Sequence, residues 1–221
     1  MLRIATSALV AALLLIAGPA FAQLRLPVIP PDQYDAEQKK AAEEFLAGRK
    51  VPVFGPFEPM MYSPQVMTNA RATGDYLRYH AAIGNTLSEL VILITAREWS
   101  QDYEWFVHAP IALKAGIAKD IIDAVAAGRR PSAMSADEDI IYDFVTELHR
   151  NKGVADATFK RAEERFGKKG VVDITGIAGS YTFIAMQLNM ARYLPPSDAG
   201  VCRVCRTETR SPFSEPAHTC R

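Results

Sequence analysis

The chain has 221 residues, 49% of them hydrophobic, with 25 basic and 25 acidic side chains. This length suits one domain with a real hydrophobic core and is short for two. Because the charges balance, no excess positive potential is present to attract nucleic acid, which is not expected as a partner.

Residues 1–22 are predicted to be a signal peptide. Arg3 supplies a positive start, residues 8–17 form an apolar run before a Gly-Pro break, and residues 20–22 read Ala-Phe-Ala, a small-x-small cleavage site. The run is shorter than the ~20 residues that span a bilayer, and no lipobox cysteine follows it. We therefore expect a mature periplasmic or secreted chain that starts at Gln23, with no stable membrane insertion after cleavage.

Residues 23–62 are predicted to form an extended N-terminal arm with one helix and a proline-rich loop. Three prolines keep residues 23–34 extended, and a polar helix follows with Asp35 as its cap and Gly48 as its stop. Residues 51–62 carry three more prolines. Ser63 and Pro64 then open the next helix, with serine as the cap and proline in the first turn.

Residues 63–196 are predicted to form a helical domain. Its most ambiguous part is the apolar run at residues 90–94, which taken alone could be a buried strand. Two features favour a helix. Thr86 and Glu89 have the spacing of a capping box, and the run continues to Trp99 without a turn signal.

Apolar stripes at helical spacing follow at residues 117–125 and 140–148, and Ser135 with Glu138 offers another capping box. A further helix is expected from Ala155 to Gly167. The pattern at residues 171–193 is nearly apolar all round, but its polar residues and glycines favour close packing in a core or subunit interface over a membrane span. The predicted fold class is therefore all-α, a compact multi-helix domain.

Residues 197–221 are predicted to be a disordered tail, since they are rich in Ser, Thr, Arg and Pro. The chain's three cysteines, Cys202, Cys205 and Cys220, all lie there. Together with His218 they could supply four zinc ligands, but only the first pair has the spacing of a zinc finger. A disulfide within the tail or plain disorder is expected before zinc, and no metal site is predicted.

The densest chemical signal lies at residues 101–108. On a helix, Gln101, Glu104 and His108 share one face, with Trp105 beside them. A carboxylate within reach of an imidazole can fix its tautomer, as a general acid requires. Taken alone, an i,i+4 pair of this kind is more typical of a solvated helix face.

Several segments together resemble a known family. They are Ser63-Pro64, Tyr76-Leu77-Arg78, residues 89–93, Tyr103-Glu104-Trp105 with His108, Ala115-Gly116-Ile117 and Asp156-Ala157-Thr158-Phe159. Over about residues 59–195 the chain resembles the carboxymuconolactone decarboxylase-like family of the alkyl hydroperoxidase D-like superfamily. The resemblance implies an all-α fold, assembly into homo-oligomers (trimers, or hexamers built from trimers), and a site at a subunit boundary.

The resemblance also bears on the chemistry. Family members with peroxidase activity carry Cys-x-x-Cys on the site helix. The second thiol lies four residues before the histidine, and a glutamate lies twelve residues before the first thiol. This chain has Gln101 and Glu104 at the thiol positions, Glu89 at the glutamate position and His108 as the histidine. Neither Gln nor Glu can replace a thiolate that attacks peroxide. Decarboxylases of the family keep a glutamate four residues before the histidine, so the resemblance favours acid–base chemistry.

The sequence thus predicts a cofactor-free decarboxylase, lyase or isomerase acting on a small carboxylated lactone or organic acid. The expected catalytic residues are His108, Glu104 and Glu89, and the expected substrate-binding residues are Arg97, Gln101, Tyr103 and Trp105. The guanidinium of Arg97 matches a carboxylate bidentately, although an ion pair with Glu98 or Glu89 would be equally natural. The alternatives are a thiol peroxidase that uses the tail cysteines, and a non-catalytic helical oligomer that binds a small hydrophobic acid.

The leader predicts cleavage after Ala22. N-terminal sequencing of the protein from its native host should therefore find Gln23 first, because the small-x-small site follows the apolar run. A chain that still begins at Met1 would contradict the predicted export.

Overall fold

A computed structural model gives the fold and describes residues 24–196. Within that range all regular structure is helical, so the predicted all-α class is confirmed. The predictions for residues 1–22 and 197–221, including the signal peptide and the cysteines of the tail, lie outside the described residues.

Seven α-helices follow one another in the described range: α1 (Ala36–Arg49), α2 (Pro64–His80), α3 (Gly84–Glu98), α4 (Asp102–Lys114), α5 (Lys119–Ala126), α6 (Ala136–Asn151) and α7 (Asp156–Ala191). Short 3₁₀ turns at Pro31–Gln33, Gly55–Phe57 and Pro59–Tyr62 accompany them. These turns lie in the proline-rich segments, where proline removes the amide donor that a longer helix would need.

The helix α3 forms the centre of the domain. Its side chains are buried without interruption from Ser88 to Ala96, and it packs against α4, α6 and α7. The apolar run is thus a helix, as predicted, but the predicted capping box is wrong. The helix begins earlier, at Gly84, so the hydroxyl of Thr86 instead donates to the carbonyl of Ala115 (2.8 Å) and Glu89 points into the core.

The helix α7 is broken at Gly167, where a helix end was predicted. Gly167 has φ 68° and ψ 174°, a backbone conformation that favours glycine. Beyond the break the helix crosses α2 closely. A Cβ added to Gly176 would lie 3.0 Å from Leu77, so at this position the expected close packing occurs inside the chain.

Among the helices of residues 24–196, α7 is the one that is long and apolar enough to cross a membrane. Half of its most apolar stretch, however, is buried in the domain. Buried Asp173 lies in the middle of this helix. Its carboxylate accepts from the backbone N–H of Ala82 (2.7 Å) and from Lys169 Nζ (2.6 Å). The carboxylate thereby ties the turn between α2 and α3 to α7, and in this fold α7 serves as a core helix.

The starts and ends of the helices agree with the sequence in part. Asp35 caps α1 in a capping box with Gln38, but the helix passes the predicted stop at Gly48 and ends where Lys50 takes the left-handed conformation. Pro64 begins α2 as expected, whereas the side chain of Ser63 makes no capping hydrogen bond. The capping box of Ser135 and Glu138 at the start of α6 is confirmed.

The N-terminal region packs against the helices that follow it. Phe45 of α1 is fully buried and makes edge-on ring contacts with Phe54 and Phe57. The backbone N–H of Arg25 donates to the carbonyl of Ala191, which fastens the first described residues to the end of α7. Residues 24–62 therefore belong to the same hydrophobic core as the helices that follow.

Asp173→Ala should lower the free energy of unfolding by ~1–3 kcal/mol, because it leaves the part-buried amide of Ala82 without its acceptor. Urea unfolding followed by circular dichroism measures the change. The matched control is Glu164→Ala, which removes an exposed carboxylate 3.7 Å from Lys160 and should cost less than ~0.5 kcal/mol. Equal losses in the two variants would show that Asp173 does not fasten the turn.

Candidate active site

The centre of the site is a buried hydrogen bond between α3 and α4. His108 Nδ1 lies 2.7 Å from Glu89 Oε2, and Glu89 is 0% exposed. Because a carboxylate can only accept, the ring nitrogen donates and the bond fixes the tautomer of His108. The bond exists because the central position of α3 directs Glu89 towards α4, where i,i+4 spacing places His108 on the same face as Glu104.

Glu104 faces the other ring nitrogen. Its Oε2 atom lies 3.5 Å from His108 Nε2, and the side chain is buried. Burial raises the pKa of Glu104 above its usual value of 4.5, outweighing the charges of His108 and Arg78, which act in the opposite direction. The imidazole is therefore held between two carboxyl groups, of which Glu104 is the one driven towards its protonated form.

Two further side chains complete the cluster. Tyr181 of α7 places its ring edge-on to His108, with the ring centroids 5.1 Å apart. Burial, and after it the charge of Glu104, raise the pKa of Tyr181, so that its hydroxyl stays protonated. From α2, Arg78 Nη2 approaches Glu89 Oε1 to 3.7 Å, which is an ion-pair distance but too long for a hydrogen bond.

This arrangement gives one proton two adjacent positions. These positions are the carboxyl group of Glu104 and His108 Nε2, the ring nitrogen that Glu89 does not hold, and they lie 3.5 Å apart. Such a pair can deliver a proton to a substrate and take it back, the task of a general acid and base.

Two of the predicted substrate-binding residues, Gln101 and Trp105, lie next to this cluster in the sequence. Their side chains, however, are engaged in contacts that hold the fold together. The side chain of Gln101 caps α4 by accepting from the N–H of Tyr103, and it donates to Asn189 Oδ1 (2.8 Å). Asn189 donates in turn to the carbonyl of Trp99. Trp105 is buried within the hydrophobic core.

Tyr103 and Arg97 have partners elsewhere. Tyr103 packs edge-on against Tyr193 and lines an open groove that also contains Leu24 and Arg192. Arg97 Nε donates to the carbonyl of Ala126 at the end of α5 (2.8 Å). The predicted catalytic residues His108, Glu104 and Glu89 thus come together, while these two residues have contacts that the cluster does not share.

Arg78 and Tyr181 were not among the predicted site residues. Arg78 belonged to one of the segments that carried the family resemblance, but on its own it reads as a surface residue near the end of α2. Tyr181 lies in a nearly apolar helix whose register against α4 no local pattern defines. Packing of α2 and α7 around α3 brings Arg78 to Glu89 and Tyr181 to the imidazole of His108.

The cluster does not have the form of a metal site, and in the described part of the chain no group of three or more His, Cys, Asp or Glu residues could hold a metal ion. Glu89 and Glu104 approach different nitrogens of one imidazole. The three side chains therefore do not converge on a common point, as the ligands of a tetrahedral ion would.

Comparison of the sequence with known protein families and with curated proteins finds no match. The all-α class is the part of the expectation that the structure establishes. Membership of the carboxymuconolactone decarboxylase-like family stays a prediction, based on the quoted segments and on the Glu89, Glu104 and His108 spacing.

Glu104→Gln should change the pH dependence of stability. A carboxyl group with a raised pKa in the folded state stabilises the fold fully below pH 4.5, and this stability is lost as the pH rises through the folded pKa. The variant cannot ionise, so relative to the wild type it should gain stability between pH 4.5 and neutral. Urea unfolding at pH 4 and pH 7.5 measures this, with exposed Glu164→Gln as the control. A difference from the wild type that is the same at both pH values would refute the raised pKa.

Proposed function

We propose that the protein is an acid–base enzyme of the carboxymuconolactone decarboxylase-like type, a decarboxylase, related lyase or isomerase that acts on a small carboxylated lactone or organic acid. The observation that carries the proposal is the imidazole of His108 held between Glu89 and Glu104 (2.7 and 3.5 Å) inside the protein. Because the chemistry is proton transfer, these side chains suffice for it and no cofactor is invoked.

In a decarboxylation, the bond between the substrate carbon and its carboxylate breaks and its electron pair moves into a conjugated carbonyl group. Carbon dioxide leaves, and the carbon then takes a proton. His108 supplies this proton while Glu89 holds the opposite ring nitrogen, and Glu104 returns a proton to Nε2. Water restores the proton to Glu104, so that one proton is consumed for each carbon dioxide released.

The same residues weigh against a thiol peroxidase at this site. The two positions where such enzymes carry thiols hold Gln101 and Glu104. The side chain of Gln101 is committed to capping α4 and to Asn189, and neither residue can form a disulfide. Peroxidase chemistry would have to come from the tail cysteines.

Assembly and location follow from the resemblance and the leader. We propose a periplasmic or secreted homo-oligomer, a trimer or a hexamer. One face of α7 exposes Val172, Gly179, Met186 and Met190, none of which has a polar side chain. This exposed face supports a subunit contact there. Nucleic acid and stable membrane insertion have no part in the proposal.

The decisive experiment is to identify the substrate by mass spectrometry of small molecules retained by the mature protein, and then to measure turnover of His108→Gln and His108→Ala. Both should lose roughly 10²–10⁴-fold in turnover, the usual effect of removing a positioned acid or base. The glutamine variant keeps an N–H donor for Glu89, which guards against unfolding. The control is His80→Ala, which removes an exposed histidine and should leave turnover within about twofold.

Unchanged turnover in folded His108→Gln would remove the histidine from the chemistry and overturn the proposal. A ligand that is retained without turnover would favour the non-catalytic binding protein. Peroxide consumption that disappears when Cys202, Cys205 and Cys220 are replaced by serine would favour the peroxidase.

A further inference from the structure

We infer that Arg78, and not Arg97, forms the subsite that binds the carboxylate of the ligand. The inference rests on the proposed function, since it places the acidic group of the substrate beside the Glu89–His108 pair. It explains the choice of an acidic substrate by Arg78, a residue that has no part in the proposed proton transfer.

The first observation is that the guanidinium of Arg78 makes no hydrogen bond to the protein within the described residues. Within residues 24–196 it makes one ion-pair contact, 3.7 Å from Glu89 Oε1, and none of its five N–H groups donates to a protein acceptor. Its other contact is the ring of neighbouring Tyr79, 5.7 Å from the centroid. Other arginines near carboxylates in this protein form direct hydrogen bonds, as Arg49 does with Asp75. A guanidinium that is open to solvent and makes no such bonds is suited to an anionic ligand.

The second observation is independent and lies on the carboxylate opposite. Glu89 Oε1 is fully buried and accepts no hydrogen bond, although Oε2 of the same group holds His108. An unpaired carboxylate oxygen of this kind costs free energy in the core unless a hydrogen-bond donor, such as a hydroxyl group of a ligand, approaches it. Arg78 and Glu89 Oε1 thus lie at ion-pair distance without a direct hydrogen bond, and both retain hydrogen-bonding capacity.

The exposure of the cluster gives the direction from which a ligand arrives. The side chain of Arg78 is 21% exposed, whereas those of Glu89, His108 and Glu104 are 0%, 4% and 4% exposed. A ligand from solvent therefore meets the guanidinium before it meets the imidazole. A carboxylate bound by Arg78 in the bidentate manner leaves the rest of the molecule directed towards Glu89 and His108.

Arg97 is the other arginine that the sequence offers for this role, and its geometry is different. Its Nε atom already donates to the carbonyl of Ala126, and its guanidinium lies against Gly128, where an added Cβ would be 3.0 Å away. It closes the end of α5, and within residues 24–196 it forms no ion pair with Glu89. The two arginines therefore make a matched pair of test positions.

The test measures binding rather than turnover. Isothermal titration of the mature wild-type protein uses three carboxylates, benzoate, cis,cis-muconate and 5-oxotetrahydrofuran-2-carboxylate, each beside its methyl ester as a neutral probe of nearly the same shape. The wild type should bind at least one acid at least ~10-fold more tightly than its ester, as expected for charge-assisted bonds to a guanidinium. Arg78→Gln should abolish that preference, while Arg97→Gln should retain it.

Removal of Arg78 leaves Glu89 without a nearby cation and could unfold the domain, so two further measurements accompany it. Arg78→Lys keeps the charge but loses the planar fork, and should retain part of the preference. In the wild type, the bound acid should protect Arg78 from phenylglyoxal several-fold, read by peptide mass mapping, and should leave the labelling of Arg97 unchanged.

The results separate this inference from the proposed function. A preference for acids that depends on Arg78 supports the subsite even if His108→Gln leaves turnover unchanged, which would overturn the acid–base enzyme alone. A wild type that binds none of the three acids, or an acid preference lost in Arg97→Gln and kept in Arg78→Gln, would overturn the subsite while leaving the role of His108 intact.

Discussion

The fold is organised around a carboxylate placed where water does not reach. Glu89 lies in the helix α3, whose neighbouring side chains from Leu90 to Ile94 are all buried. Moving a carboxylate into such surroundings costs several kcal/mol in practice unless a partner compensates it. The compensation is the 2.7 Å hydrogen bond to His108, which requires α4 to pack against α3 in one register. The contact that stabilises the core is also the contact that orients the imidazole.

The other helices then define what the imidazole can do. The face of α7 supplies Tyr181 and fits closely against α2, where Gly176 leaves room for Leu77. That approach carries Arg78 to the far side of Glu89. The Glu89 carboxylate thus has a histidine on one oxygen and an arginine near the other, and only the first of these is a direct hydrogen bond. This asymmetry underlies the two proposals, that one end of the cluster transfers protons and that the other end binds a ligand.

Glu104 has different surroundings from Glu89, although both carboxyl groups are buried. Glu89 is held by a direct hydrogen bond to the imidazole, whereas Glu104 stands 3.5 Å from it, and burial raises the pKa of Glu104. Different environments of this kind are the basis for proposing different roles for the two groups. If the chain belongs to the proposed family, Glu104 stands where that family's peroxidases carry a thiol, which is the chemical basis for proposing proton transfer instead of peroxide reduction.

The sequence by itself determined the helical class, the capping box at Ser135, the break at Gly167 and the helical nature of the run that includes Leu90, because these depend on local backbone chemistry and on the 3.6-residue period. It also singled out Glu89, Glu104 and His108, through their spacing and the family that this spacing resembles. The tertiary structure alone decided that Thr86 bonds to Ala115 and that Arg97 is engaged by Ala126. It likewise decided that Arg78 approaches Glu89 and that Tyr181 packs against His108. These contacts join residues far apart in the chain, and the register of one helix against another is set by packing of the whole core rather than by any local pattern.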